Sequence, residues 1–340
     1  MYYLRFQFLA KFICCTLLLF VSSSSFAKQQ VAPPHPEREA AIKLLEAGKN
    51  AEAVQAFRHY LSNTQNSKDA EVWLYFGIAQ YRNKEIEAAV GTLKNAVKLN
   101  ANSNFAHSTY ATVLYDAHKL KDAEKEVNES LKLNANNAEA LYLRGVLRHN
   151  KGDYAKALAD AEMVLQLTPN FAPTYILKAQ AMIGLQYTKS RSRQHEFPPE
   201  WKDVFLQAAK NVERYLQLNP STKDADSWRE WMNALRLYSG DENSSGCERA
   251  TATLHPEITH REKARYTDEA RMYGIKGRIL IRAIFDIDGQ VKHLIPLTYL
   301  GGGLTLEAIR ATQKIRFKPA LKDGKPVCVS LAVEFSFELL

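Results

Sequence analysis

Residues 138–171 read AEALYLRGVLRHNKGDYAKALADAEMVLQLTPNF, and this stretch decides the fold of the middle of the chain. Gly145 and Ala157 stand at its positions 8 and 20, between apolar segments that a Gly152-Asp153-Tyr154 turn separates. Small side chains at such positions let two helices approach closely. Pro169 at position 32 blocks continuation of the second helix. The stretch therefore predicts a helix-turn-helix pair.

The same arrangement recurs at intervals of 34 residues. Ala111 and Ala123 occupy the two small positions one interval upstream, and Gly77 and Ala89 occupy them one interval further. Copies with weaker register extend the pattern to residues 37–220, about five helix pairs, with an insertion at 188–200 in the last. Three of the pairs end in a four-residue segment in which Asn or Pro favours non-helical backbone; these segments are Leu99–Asn102, Leu133–Asn136 and Leu167–Asn170.

This pattern resembles the tetratricopeptide repeat family, whose members stack helix pairs into a right-handed superhelix with a concave groove. The resemblance implies that positions 2, 5, 9 and 12 of each first helix line the groove. The aromatic and polar residues there that suit a peptide ligand are Tyr81, Tyr115, Tyr142 and His149. The alternative is that several of them pack against neighbouring helices. Residues 221–239, with Trp228, Trp231 and Leu235 on one face, look like a helix that caps the last repeat.

After a turn-rich linker at 240–254 the periodicity becomes strand-like. Residues 277–286 are apolar and β-branched, Asp288-Gly289 signals a hairpin, and residues 327–339 alternate between two faces. A helix separates these strands from about Thr305 to Lys314. In order, the segments that carry a family resemblance are Tyr266–Arg271, Gly274–Gly277, Asp286–Val291, Ile315–Ala320 and Asp323–Val327.

This order resembles the C-terminal domain of TonB-family proteins over residues 255–340. The resemblance implies a small α+β domain whose helices pack on one side of a three-stranded antiparallel sheet. It also implies that the last strand lies at the sheet edge and pairs with an extended peptide, such as a segment of an outer-membrane transporter. The candidate contacts are Val327, Cys328, Val329, Ser330 and Leu331. Two positions depart from the family pattern: Thr267 replaces a proline after Tyr266, and Ile315 replaces a tryptophan.

The N-terminus predicts export. Residues 1–27 combine Arg5 and Lys11, about ten apolar residues and a small-residue end, which is typical of a secretory signal peptide. Residues 28–36 form a proline-containing lead-in. The alternative is a retained anchor over residues 6–26, although a spanning helix needs about 20 predominantly apolar residues. Cleavage would leave Cys247 and Cys328 alone in an oxidising compartment, where a disulfide between them is plausible.

Composition and motifs argue against several other functions. The chain of 340 residues is 46% hydrophobic and 24% charged with a formal charge of +8, as expected for a multidomain globular protein. Its basic residues form no block interleaved with aromatics, so nucleic-acid binding is not expected. Asp286-x-Asp288-Gly289 lacks the later calcium ligands, and no catalytic motif has supporting context. We expect no enzyme, no metal and no cofactor.

Two functions remain open. The first is a periplasmic adaptor whose repeats bind one protein segment while the TonB-like domain adds a peptide strand. The second is a membrane-anchored transducer of TonB type that uses residues 6–26 as its anchor. N-terminal sequencing separates them, since a mature start at Lys28 fits only the first and an intact Met1 fits only the second.

Overall fold

The computed structural model describes residues 35–190, 199–240 and 253–339. The predicted signal peptide, most of the lead-in, most of the insertion and most of the linker lie outside these residues. The described chain divides between Arg144 and Gly145 into two compact units. The helices are α1 (Pro36–Glu46), α2 (Asn50–Ser62), α3 (Ala70–Arg82), α4 (Ile86–Leu99), α5 (Asn104–Asp116), α6 (Leu120–Leu133), α7 (Ala138–Asn150), α8 (Tyr154–Leu167), α9 (Pro173–Ser190), α10 (Trp201–Leu218), α11 (Ala225–Ser239), α12 (Asp268–Met272) and α13 (Leu304–Gln313), with a 3-10 turn at Thr64–Lys68.

Close helix approach at the small positions is confirmed. In the α3/α4 pair, a Cβ added to Gly77 would lie 2.5 Å from Cγ of Leu93, so α4 occupies the space that any side chain at position 77 needs. In the unit that begins at Gly145, a Cβ on that glycine would lie 3.3 Å from Cβ of Asp160. Glycine at position 8 therefore sets the distance between the paired helices.

Helix ends also follow the sequence prediction. Helices α4, α6 and α8 stop at Leu99, Leu133 and Leu167. Just beyond two of these ends, Asn100 Oδ1 accepts from the Asn102 amide at 3.2 Å and Asn134 Oδ1 accepts from the Asn136 amide at 3.0 Å. Asparagine side chains thus replace the helical hydrogen-bond partners and turn the chain, as such turns do in general.

Residues 253–339, as described, contain seven short or medium strands and two helices. The strands are β1 (Glu257–His260), β2 (Gly277–Phe285), β3 (Val291–Pro296), β4 (Arg316–Lys318), β5 (Ala320–Lys322), β6 (Lys325–Val327) and β7 (Val329–Phe337). Three of them form an antiparallel sheet in the order β3-β2-β7. Strands β1 and β4 form a second, two-stranded sheet, and β5 and β6 form a hairpin. The predicted α+β fold with a three-stranded sheet is confirmed.

One face of the three-stranded sheet packs on α12 and α13. Ile279, Ile281 and Phe285 of β2 join Val333, Phe335 and Phe337 of β7 and the apolar side of α13 in a single core. Ala332, Glu334 and Ser336 alternate with them and are exposed. The predicted two-faced pattern is therefore confirmed from Ala332 to Phe337. It ends there, because Leu339 is exposed.

The opposite face of the sheet is covered in part, along β3 and the end of β2. Helix α11 packs against β3, and Arg282, Ile284 and Ile295 on this face are buried. Ser330 Oγ of β7 lies 3.5 Å from the Tyr238 hydroxyl at the end of α11. The helix that was expected to cap the repeats packs on α10 and, in addition, against the sheet. Buried side chains therefore cover this second face along β3 and the end of β2, whereas Ala332, Glu334 and Ser336 leave it exposed along β7.

Candidate functional site

The predicted groove residues Tyr81, Tyr115 and Tyr142 lie on α3, α5 and α7, the first helices of successive pairs. Tyr115 is half-buried, whereas Tyr81 is 5% exposed and Tyr142 2% exposed. The expected solvent exposure of Tyr81 and Tyr142 is therefore not observed. A buried tyrosine hydroxyl requires a hydrogen-bond partner, and that of Tyr81 donates to Asp116 Oδ2 at 2.5 Å. Tyr81 thus links one repeat to the next, and its contact with a ligand stays a prediction.

Burial also raises the pKa values of two acidic side chains on these helices. Desolvation raises the pKa of Asp116 above its ordinary value, although the hydrogen bond from Tyr81 opposes the shift. Desolvation raises the pKa of Glu139 to about 7, although its hydrogen bond from Ser108 lowers it. The Ser108 hydroxyl donates to Glu139 Oε2 at 3.4 Å. The Ser108–Glu139 hydrogen bond joins position 5 of one repeat to position 2 of the next. The pair was not predicted from the sequence, because the prediction considered mainly the aromatic residues at the groove positions.

His149, the fourth predicted groove residue, lies in a different environment. It is buried against Tyr154 of α8, with ring centroids 5.3 Å apart, and against Tyr299, with centroids 5.0 Å apart. Tyr299 follows β3, so the imidazole helps to join the last repeats to the C-terminal region. Its Nε2 has no hydrogen-bond partner among the described residues. The structure therefore gives His149 a packing role.

The environment of His149 leads to a pH prediction. Desolvation lowers its pKa to about 4, below the 6.5 of an unfolded chain. The unfolded state then binds more protons below pH 6.5, so folding stability falls as the pH decreases from 6.5 towards 4. Between pH 7.5 and 5.5 we expect wild type to lose about 1 kcal/mol relative to His149→Phe, which cannot titrate. Urea unfolding of both proteins at the two pH values measures this difference, and parallel pH profiles would contradict it.

The second candidate site is the outer edge of β7. In register, β7 pairs with β2 from Val329 opposite Phe285 to Phe337 opposite Gly277. Among the described residues no other strand pairs with β7. The Glu334 carbonyl oxygen accepts a hydrogen bond from a side chain outside the sheet, Arg261 Nη2 at 2.5 Å. Glu334 therefore points its backbone groups away from β2.

The same edge is open at alternate residues. In an antiparallel pair, every second residue directs its N–H and C=O away from the neighbour. Because the β2/β7 register is regular, Ser330, Ala332 and Ser336 share the orientation of Glu334. These four residues offer the polar backbone groups that an added strand needs.

This placement differs in part from the sequence prediction for residues 327–331. Val329, Ser330 and Leu331 do begin β7, but Val327 belongs to β6 in the preceding hairpin. Cys328 lies between the two strands rather than within one, because the chain passes there from the β5/β6 hairpin into the main sheet. The alternation of apolar and polar residues could be recognised in the sequence, but the break at Cys328 between β6 and β7 could not. The alternation continues through the break with the same period of two.

Cys328, a candidate peptide contact, is buried, with 8% exposure. It is disulfide-bonded. Its predicted partner, Cys247, lies outside the described residues, so the Cys247–Cys328 pairing stays a prediction. Thr253 and Leu254, just after that segment, donate their amides to the Leu321 carbonyl of β5 at 2.8 and 2.9 Å.

Within residues 35–190, 199–240 and 253–339, no three His, Cys, Asp or Glu side chains cluster as metal ligands would. None of the helices described in these ranges has the length and apolarity needed to span a bilayer.

Comparison with protein families agrees with these two regions. Residues 51–175 match the model of the cytochrome c-type biogenesis protein H TPR domain. Residues 262–339 match the model of the Gram-negative bacterial TonB protein C-terminal domain. The chain carries a tetratricopeptide repeat domain and a TonB C-terminal domain. The sheet that presents β7 thus belongs to the TonB C-terminal domain.

Individual relatives match only part of the chain. FK506-binding protein 59 of Drosophila melanogaster is 27% identical over 148 residues, which cover 40% of this chain. The chain spans about a third of that protein's length (33%). Among solved structures, MamA is 19% identical with a TM-score of 0.42, covering 56% of this chain and 93% of MamA. YrrB, described as a TPR protein with an unusual peptide-binding site, is 17% identical with a TM-score of 0.41, covering 57% of this chain and 90% of YrrB.

The two departures from the TonB pattern have structural explanations. Thr267, in place of proline, caps α12, since its hydroxyl accepts from the Ala270 amide at 3.1 Å. The hydroxyl also donates to the Gly302 carbonyl. Ile315, in place of tryptophan, is buried in the core of the TonB C-terminal domain. Both residues serve the fold of the domain.

Proposed function

We propose that this chain is a non-enzymatic adaptor of the Gram-negative periplasm that binds protein segments without a cofactor. The observation that carries the proposal is the edge of β7, a nine-residue strand with one pairing partner among the described residues. Unpaired backbone groups at a sheet edge bind extended peptides by strand addition. The TonB C-terminal match supports this assignment and a place in the cell envelope.

The tetratricopeptide repeats would supply a second binding surface. Repeats of this kind present extended concave surfaces to protein partners. Tyr115, on the first helix of its pair, is partly accessible. We propose that this surface binds one protein segment while β7 binds another, possible partners including an outer-membrane transporter. One molecule could then hold two envelope components together.

Location follows from the N-terminus in this proposal. A cleaved signal peptide over residues 1–27 would release the adaptor into the periplasm, whereas retention of residues 6–26 would anchor it in the inner membrane. Both segments lie outside the described residues. We favour the released form because the apolar run between Lys11 and Ser22 is about half the length of a spanning helix.

Strand addition at β7 predicts a specific response to proline. Ala332 directs its N–H to the open edge, so Ala332→Pro removes that donor while leaving the hydrogen bonds to β2 in place, and proline is tolerated on such edges. We expect peptides selected on wild type from a phage library of random dodecapeptides to bind Ala332→Pro about tenfold more weakly, because the ring removes a donor and crowds the edge. Fluorescence anisotropy with the labelled peptides measures the affinities.

Two controls accompany this test. Ala332→Ser keeps the N–H and should bind as wild type does. Peptides N-methylated at alternate residues cannot pair with the edge and should lose binding, with no change to the protein itself. If no binding peptide is selected, or if the selected peptides bind Ala332→Pro as tightly as wild type, the proposal is wrong.

A further inference from the structure

The outer edge of β7 carries a cationic side chain. Arg261, in the segment after β1, donates from Nη2 to the Glu334 carbonyl oxygen at 2.5 Å. Its guanidinium carbon lies 5.0 Å from the centroid of the Phe335 ring, within the range of a cation–π contact. The guanidinium therefore lies at the edge, on the side of the sheet to which Phe335 points.

This hydrogen bond occupies a group that strand addition needs. An added strand would donate a backbone N–H to the outward carbonyls of Ser330, Ala332 and Glu334 in turn, with strands about 4.8 Å apart. The guanidinium at the Glu334 carbonyl lies in the path of that strand. A peptide that pairs along the whole edge must displace it.

Arg261 is not paired with a carboxylate in the part of the chain that the structure describes. The side chain is exposed, and no described Asp or Glu forms an ion pair with it within 4.0 Å. The neighbouring carboxylates have other partners: Glu334 Oε1 lies 3.5 Å from Arg278 Nη1, and Glu262 Oε2 lies 2.9 Å from Lys314 Nζ. A displaced Arg261 therefore has its charge available for a carboxylate brought by the ligand.

We propose that Arg261 gates the β7 edge and selects strands that carry an Asp or Glu side chain facing the same side of the sheet as Phe335. The inference rests on the proposed strand addition and specifies its ligand. In the unliganded chain the guanidinium holds the Glu334 carbonyl. On binding, the peptide N–H replaces it there, and the guanidinium pairs with the peptide carboxylate. Such pairing is favoured by the planar donor geometry of arginine.

The consequence is a preference with two parts. A neutral strand restores the hydrogen bond to the Glu334 carbonyl but offers no partner to the displaced guanidinium, whereas an acidic strand offers it a charge-assisted hydrogen bond. Removal of the guanidinium should therefore weaken the binding of acidic peptides and strengthen the binding of neutral ones. A purely structural role, in which Arg261 only covers Phe335, would change both peptide classes alike.

The test uses the full chain and the same random dodecapeptide library. Selection on wild type should enrich Asp and Glu at one position of the edge-dependent peptides. Selection on Arg261→Gln should show no such enrichment. Selection on Arg261→Glu should enrich Lys and Arg at that position instead. For one selected acidic peptide, Arg261→Gln should lower affinity about fivefold, as expected for an exposed ion pair. The counterpart with Gln in place of the acidic residue should bind Arg261→Gln at least as tightly as wild type.

Arg265→Gln is the matched control. Arg265 is an exposed arginine of the same segment, whose described ion pair is with Asp268 at 4.0 Å. The Arg265→Gln variant should bind both peptides with the same affinity as wild type. If no peptide depends on the β7 edge, the proposed function itself fails. If edge-dependent peptides show no acidic enrichment, or if Arg261→Gln weakens acidic and neutral peptides equally, strand addition stands and the role of Arg261 is wrong.

Discussion

Replacement of Trp231 by alanine should lower the free energy of unfolding of the unit from Gly145 to the C-terminus by about 3–5 kcal/mol. Trp231 lies on α11 and is 1% exposed. Its ring packs edge-on against Trp228, with centroids 5.9 Å apart. Helix α11 packs on α10 along one side and on β3 along another. The cavity left by the indole would therefore weaken the helix that joins repeats to sheet.

Trp73→Ala is the control for loss of an indole in general. Trp73 is only half-buried, and its Nε1 donates to the Ser67 carbonyl at 2.8 Å. Its replacement should cost about 1–2 kcal/mol. Calorimetric melting of the three proteins, with circular dichroism at 222 nm as a second probe, gives the comparison. Equal losses for the two variants would show that α11 does not carry the stability assigned to it.

Gly77→Ala should destabilise the repeats by about 1–3 kcal/mol, the range for an overpacked core. The new Cβ would lie 2.5 Å from Cγ and 2.7 Å from Cδ2 of Leu93, which is itself fully buried. Helices α3 and α4 must then separate. The cost exceeds the gain of about 0.5–1 kcal/mol that alanine brings to a helix interior relative to glycine.

Gly91→Ala measures the gain in helix stability from alanine without a steric clash. Gly91 lies within α4 of the same helix pair, is exposed, and would have nothing within 4 Å of an added Cβ. The substitution should therefore stabilise the chain by about 0.5–1 kcal/mol. Urea unfolding followed at 222 nm should show opposite shifts in midpoint for the two glycine variants. A stabilising Gly77→Ala would refute the steric account of position 8.

The repeat architecture could be predicted from sequence because its determinants are local. The 34-residue period, the small residues at positions 8 and 20 and the Asn-containing ends each act within one helix pair. They predicted that α4 and α6 end at Leu99 and Leu133, as observed. Exposure of the groove residues could not be predicted in this way. Repeat position gives the direction of a side chain, whereas burial depends on how closely successive pairs stack.

The partial burial of the second face of the sheet was not predicted, although the sequence of β2 carries a signal for it. A sheet with one wet face should alternate strictly, but Ile284 follows Ala283 and precedes Phe285 without a polar residue. Such continuous apolar runs indicate burial on both faces. Arg282 in the same strand obscured the signal, and its burial beside Tyr238 is a tertiary effect. The Arg261 contact joins residues 73 positions apart and has no local signature.

The long register between β2 and β7 has a mechanical consequence. Their nine residue pairs run antiparallel with hydrogen bonds perpendicular to the strands. A partner strand laid along β7 and pulled along its length would load all of its hydrogen bonds together, in shear. The same partner pulled away at one end would break them singly, as a zipper opens. Tension along the strand would thus be resisted by the whole edge, while peeling from Phe337 or from Val329 would release the partner with little force.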